Sequence, residues 1–289
     1  MNLITLKNGI NRWNFQIDKI KFILCSDNTD YSMIQSLRAF MTKEKSEYRT
    51  ENNIQYNLCL DDDEIKLKNN LLLEITDAYS LNEDKKLTTK SLMLKYLELK
   101  LQSLEFFDTL STLDILFESL SNEINDDSIL KVVFNGMNYK QLVKLISPYY
   151  ENEMQKDEFD MDVNELIDFQ LQMVQYISMN NKKYDNVYCF MKLDNLNNKL
   201  LESLYKIEGC KIIVFTNHYL EGMNVDDVCL LEREFIDFAD MEQFYYVFSQ
   251  QSAQTYCLQE VKDMIKQYLL ANYTQKNHDI YQELKIFSI

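Results

Sequence analysis

The chain has 289 residues, 46% hydrophobic and 12% aromatic, with a formal net charge of −16. That length supports one large core or two modest ones, while no apolar run approaches the ~20 residues that span a bilayer. The opening MNLITLKNGINRWNF lacks the pattern of a signal peptide, so the expected location is cytoplasmic with no membrane partner.

With 4 Gly and 1 Pro there is little punctuation, and helices joined by tight polar turns should dominate. Residues 20–25 (IKFILC) read as a buried strand, followed by a helix over about 31–43. Residues 54–60 and 71–76 read as strands, with the acidic run Asp61, Asp62, Asp63, Glu64 as the turn between them. From Thr88 the period becomes helical: Leu92, Tyr96, Leu99 and Leu104, then Leu110, Leu113, Leu116, Phe117 and Leu120. This predicts two long amphipathic helices over 88–124, broken near Phe107–Leu110.

A β-type run covers Ile129 to Phe134, and a short helix over 139–147 ends at Pro148. Residues 162–180 read as helix, with Val163, Leu166, Ile167, Leu171, Val174 and Ile177 on one face. Strand 187–193, helix 196–207, strand 211–215 and a short strand over 227–231 follow; the tail from 241 is helical, interrupted around 249–253. Strands separated by helices at both ends predict an α/β fold with a parallel-sheet head from 1–78 and 183–248. A helical insertion fills 79–182, and 249–289 is a C-terminal helical extension.

The stretch KIKFILCSDNTDYSMIQSLRAF (19–40) has the layout of a phosphate-binding strand, loop and helix, without its chemistry. A working loop uses glycines to bring backbone N–H groups to phosphates, then Lys and Ser/Thr for phosphate and magnesium. Ser26 to Thr29 holds neither Gly nor Lys, and Asp27 and Asp30 would repel a triphosphate. VYCFMKLD (187–194) resembles the acid-capped strand of phosphate-loop NTPases, with Asp194 as the acid. KIIVFTNH (211–218) resembles the polar-ended strand after it. The order predicts a degenerate phosphate-loop NTPase fold that neither binds nor hydrolyses ATP.

Cys25, Cys59, Cys189, Cys210, Cys229 and Cys257 form no CxxC pair, and only His218 and His278 could add imidazole, so no zinc site is expected. Net acidity argues against nucleic acid, whose binding is driven by cationic side chains that displace counterions from phosphate. The acidity is uneven, however: ENEMQKDEFDMDVNELID (151–168) holds eight acids and one lysine. Lys66, Lys68, Lys85, Lys86, Lys90, Lys95 and Lys100 form a basic concentration, with Lys140, Lys144, Lys182 and Lys183 beyond it. Scattered lysines are usually a solvated face, and no aromatics interleave with them as a single-strand stacking platform requires. Duplex held by its backbone is the better match.

Glu118, Glu123, Asn125, Asp126 and Asp127 gather at a helix end in FESLSNEINDD. Hard cations take oxygens from such bends, but the spacing is no EF-hand and a solvated helix end is the favoured reading of these residues. Glu64-Ile65-Lys66, with Asp27 or Asp30, could form the E-x-K element of a magnesium nuclease, though E-x-K recurs freely in so charged a chain. His218 follows a strand, but no G-x-S-x-G elbow exists for it to serve.

The loop SDNTDYSM, the segment DDDEIKLKNNLLLEITDAYSLNEDKKLTTKSLMLKYLE, the acidic end FESLSNEINDD and the pair VYCFMKLDNL…KIIVFTNH occur in one order. Together they resemble the spacer-acquisition ring protein of type II-A CRISPR systems, the Csn-two family, over most of 1–248. The resemblance implies a homotetrameric ring with an α/β head and a helical leg. It further implies non-catalytic binding of double-stranded DNA ends and work beside a CRISPR integrase complex and an RNA-guided effector nuclease. Carried onto this chain, it makes Lys66, Lys68, Lys85, Lys86 and Lys90 DNA-binding candidates. It makes Glu118, Glu123, Asp126 and Asp127 calcium-ligand candidates. A magnesium nuclease and a protein-interaction module without nucleic acid are the alternatives.

Overall fold

The computed structural model describes residues 2–9, 11–25, 30–42, 56–126, 129–136, 138–150, 158–232, 234–252 and 255–273. In chain order, β1 (Asn2–Asn8), β2 (Arg12–Ile17) and β3 (Ile20–Cys25) precede α1 (Tyr31–Met41). Then come β4 (Tyr56–Leu60), β5 (Asp63–Glu64) and β6 (Asn70–Thr76). A helical stretch follows, with α2 (Leu81–Asp84), α3 (Leu92–Leu101), α4 (Phe107–Asp126), α5 (Tyr139–Val143) and α6 (Val163–Asn180). After it the chain alternates β7 (Asn186–Lys192), α7 (Asn198–Lys206), β8 (Lys211–Thr216) and β9 (Val228–Leu231). β10 (Phe235–Asp237), α8 (Met241–Gln251) and α9 (Leu258–Tyr273) come last.

The fold is mixed α/β with a parallel sheet. It divides into two compact units, Met1–Asp77 with Lys182–Ile289, and Ala78–Asn181. In the first unit one sheet has the order β10-β9-β3-β8-β7-β6. All its pairs are parallel except β10 with β9. A second, antiparallel sheet has the order β2-β1-β4-β5.

Alternation along the parallel strands sends Ile23 and Cys25, Tyr188 and Phe190, Ile213 and Phe215, and Cys229 and Leu231 to one face. There they join Met33, Ile34, Leu37 and Phe40 of α1 and Leu6, Trp13, Phe15 and Leu58 of the antiparallel sheet in one buried cluster. Each such side chain contributes about 1.5–3 kcal/mol when fully buried. The opposite face carries Phe22, whose ring meets Tyr205 of α7 edge-on at 6.0 Å, and α7 buries Leu200, Leu201 and Leu204.

The N-terminal hairpin turns at Asn8-Gly9, where Gly9 takes a φ of 80° that glycine adopts without a Cβ clash. The predicted acidic turn is shorter than expected. Asp61 and Asp62 hold left-handed φ values of 50° and 70°, and Asp63–Glu64 pairs back on β4. The strands on either side, β4 and β6, belong to different sheets. The tail beyond 249 is not a separate extension among the described residues. α9 belongs to the first unit, buries Val261, Ile265 and Leu269, and accepts the Tyr219 N–H at the Tyr273 carbonyl, 3.1 Å away.

In the second unit α6 buries Ile167, Leu171, Val174 and Ile177, at the spacing read from sequence, and packs against α3 through an edge-on Tyr96–Tyr176 pair at 5.0 Å. Asp162 and Glu165 form a reciprocal capping box at its start, so two acids of the 151–168 block stabilise a helix terminus. The break between the two long helices falls earlier than predicted, at 102–106, where Gln102 and Ser103 donate to Leu99 and Lys100 carbonyls in tightened turns. The predicted strand over 129–134 is irregular. The Asn125 side chain accepts from the Val132 N–H at 2.7 Å and donates to its carbonyl at 2.8 Å, so both groups a strand partner needs are taken.

Candidate functional site

The strand-end chemistry gathers at the C-terminal edge of the parallel sheet. Asp30 precedes α1 but does not cap it; its side chain is only 1% exposed and lies 3.1 Å, through Oδ2, from the Lys192 ammonium at the end of β7. Burial alone would lower the Lys192 pKa, but the Asp30 carboxylate outweighs it and holds the ammonium above its usual range. Asp194 stands on the other side of Lys192, 4.0 Å away and half exposed.

Cys25, at the end of β3, is pushed up to about 12 by burial and then by the Asp30 charge. It stays a thiol, with Sγ 3.6 Å from the Thr216 carbonyl. Burial likewise raises Cys189, Cys210 and Cys229, which favours the thiol at each. Thr216, at the end of β8, is buried and accepts the His218 backbone N–H at 3.2 Å. The segment carrying Ser26, Asp27 and Thr29 lies outside the described residues, and Cys25 and Asp30 define its two flanks. Lys192 was legible only as the residue two before Asp194; that it turns back to Asp30 is a tertiary fact.

The DNA-binding candidates fall on both units. Lys66 and Lys68 are exposed in the first, in the turn before β6, where the Lys66 carbonyl accepts from Asn69 and Asn70 N–H groups. Lys85, Lys86 and Lys90 belong to the second; Lys86 and Lys90 are exposed and Lys85 half-buried. Lys86 reaches Glu83 at 2.5 Å in an exposed pair, the kind that holds little energy. Lys95 is withdrawn from any basic surface. Its ammonium donates to the Lys90 and Ser91 carbonyls, and burial lowers its pKa against the pull of Asp84. Asp84 has a structural task, accepting from the Leu92 and Met93 N–H groups at the start of α3.

The calcium-ligand candidates Glu118, Glu123 and Asp126 are exposed on α4, and Asp127 lies outside the described residues. Among the described residues no group of three or more His, Cys, Asp or Glu side chains comes together. Asn125, a further oxygen at this bend, is committed to Val132. Between them Glu118, Glu123 and Asp126 carry six carboxylate oxygens, which reaches the low end of the six to eight that calcium takes only where each binds through both. Of the E-x-K element, Glu64 and its candidate partner Asp30 stand at different sheets. Glu64 lies exposed on β5 of the antiparallel sheet, Asp30 is buried at the edge of the parallel one, and Asp27 is outside the described residues.

α4 has an apolar stripe that is covered only in part, where Phe134 stacks on Phe117 at 4.9 Å. None of its residues is buried, and Phe107, Ile115, Leu116, Leu120 and Ile124 are exposed. Among the described residues no helix is long and apolar enough to cross a membrane.

No protein-family profile matches the chain, and no curated protein matches its sequence. Its fold is similar to the crystal structure of Stu0660 of Streptococcus thermophilus, with a TM-score of 0.66 and 13% identity over 96% of this chain and 90% of that one. RecF of the RecFOR recombination pathway aligns at a TM-score of 0.35 and 11% identity over 79% of this chain and 94% of that one. A metal-chelate type ABC transporter in an inward-facing conformation aligns at 0.35 and 7% identity over 83% and 85%. Neither of these two reaches the level of a shared fold, whereas the likeness to Stu0660 runs nearly end to end and is a likeness of fold.

Proposed function

We propose that this chain is a non-catalytic, sequence-independent binder of double-stranded DNA ends that assembles as a homotetrameric ring and acts in CRISPR spacer acquisition. Its partners in that role are the integrase complex and the RNA-guided effector nuclease. The ordered motifs that resemble the Csn-two family support this reading, and so does a parallel-sheet head followed in the chain by a helical unit.

The observation that carries it is the Asp30–Lys192 pair. Open α/β sheets bind ligands at the carboxyl ends of their strands, and here that edge holds a buried carboxylate and its own cation 3.1 Å apart. A triphosphate would meet the Asp30 charge, and the strand-end Lys192 is already committed to it. The head is therefore a degenerate phosphate-loop NTPase fold kept as a scaffold, without ATP, and phosphate affinity has moved to lysines outside it. Lys66 and Lys68 on one unit and Lys85, Lys86 and Lys90 on the other each bring few charges. Four chains around one duplex multiply them, while the net −16 of each chain repels DNA elsewhere. Calcium enters this reading only where Asp127 or another chain completes the shell begun by Glu118, Glu123 and Asp126.

The test is a solution mass together with duplex binding at two salt concentrations. The expected result is four chains per particle and affinity that falls steeply with salt, without cleavage in magnesium. Charge reversal at Lys66 and Lys68, or at Lys85, Lys86 and Lys90, should weaken binding on every sequence alike, the slope of log K on log salt shrinking by about one per lost phosphate contact. A monomer that shifts no duplex at low salt overturns the reading in favour of a protein-interaction module.

A further inference from the structure

Within the second unit, α3, residues 148–150 and α6 enclose a cleft of about 490 Å³, inside the range of about 300–1,000 Å³ usual for small-molecule sites. Its floor is Met93 and Met173, both buried. Its walls are two edge-on aromatic pairs, Tyr96 with Tyr176 at 5.0 Å and Tyr150 with Phe169 at 5.4 Å. Tyr149, 77% exposed, and the exposed Gln172 stand at the rim. Among the described residues no carboxylate lines the cleft. A cation stands beside it: the Lys100 ammonium lies 5.4 Å from the centre of the Tyr176 ring and 3.7 Å from the exposed Glu105 carboxylate.

We propose that this cleft takes an unpaired nucleotide from a frayed or tailed DNA end, an inference that rests on the DNA-end reading above. The occupant must match three features at once. Aromatic walls over a thioether floor select a flat ring that stacks. Tyrosine hydroxyls and the Gln172 amide, which both donates and accepts, suit the hydrogen-bonding edge of a base. Lys100, whose 3.7 Å pair with the exposed Glu105 is a weak one, suits an anion attached to that ring. A purely aliphatic molecule would use only the first feature. Aromatic stacking is worth about 1–3 kcal/mol per base and tolerates any sequence, as an end-binding protein requires.

The experiment compares the full chain's affinity for a blunt duplex with that for the same duplex bearing a short single-stranded tail ended by 2-aminopurine. The tail should tighten binding about five-fold or more and quench the probe's fluorescence. Both effects should shrink in Tyr149→Ala and in Gln172→Ala, two exposed positions whose loss leaves the packing of the unit intact, while blunt-duplex affinity stays as it was. Equal affinity for the two duplexes without quenching overturns this inference and leaves the DNA-end reading standing. Quenching that both variants retain places the stacking elsewhere and overturns it as well. Failure to bind either duplex overturns both.

Discussion

Lys21 sits in the middle of an apolar strand with its side chain 1% exposed, and its ammonium meets Asp237 at 2.7 Å and the Asp226 carbonyl at 2.9 Å. From sequence it is one polar letter in IKFILC; its partner lies 216 positions away, and no local rule finds such a pairing. Asp237 also accepts the Gln16 and Ala239 N–H groups, so this carboxylate ties β2, β3 and the chain after β10 together. Removing one member of a buried pair costs about 3–5 kcal/mol. Asp237→Asn should lower unfolding free energy by that order in urea, and Lys21→Met in the same background should recover part of the loss. Lys192 adds a pH signature. Its pKa is raised on folding, so the stability it contributes is complete below its unfolded value near 10.5 and disappears as pH climbs through the folded one. The stability difference between the wild type and Lys192→Met should therefore narrow above about pH 10.5; a difference that widens there would contradict the ion pair.

Periodicity reads an amphipathic helix well and says nothing of what covers it. α6 and α4 carry comparable apolar stripes, yet α6 buries Leu171, Val174 and Ile177 whereas α4 buries nothing. Leu171→Ala or Ile177→Ala should cost about 2–5 kcal/mol, while Leu116→Ala should stay within about 0.5 kcal/mol when denaturant melts are run dilute enough to keep the chain monomeric. The parallel strands were legible because both of their faces are buried and each reads as a continuous apolar run. The N-terminal hairpin carried its own mark, Asn8-Gly9 between apolar segments, which the charge-focused reading of that segment passes over. The run over 129–134 has strand composition but no strand. Composition cannot reveal that Asn125 captures both polar groups of Val132.

At the scale of the whole chain, the order β9-β3-β8-β7-β6 was not legible. Register between distant strands leaves no trace in a single sequence, whereas the alternation of strands and helices that implies a parallel sheet does. Of the candidate site, exposure of Lys66, Lys68, Lys86 and Lys90 agrees with composition. The inward turn of Lys95 and the self-neutralised Asp30–Lys192 pair are tertiary outcomes. The central claim is that a nucleotide-type sheet serves as scaffold for a ring that threads onto duplex ends. The most direct measurement sets a linear duplex against a covalently closed circle of the same sequence in competition for the protein. The account predicts that the linear form binds and the circle competes poorly until a restriction enzyme opens it; a circle that competes as well as the linear duplex would contradict it.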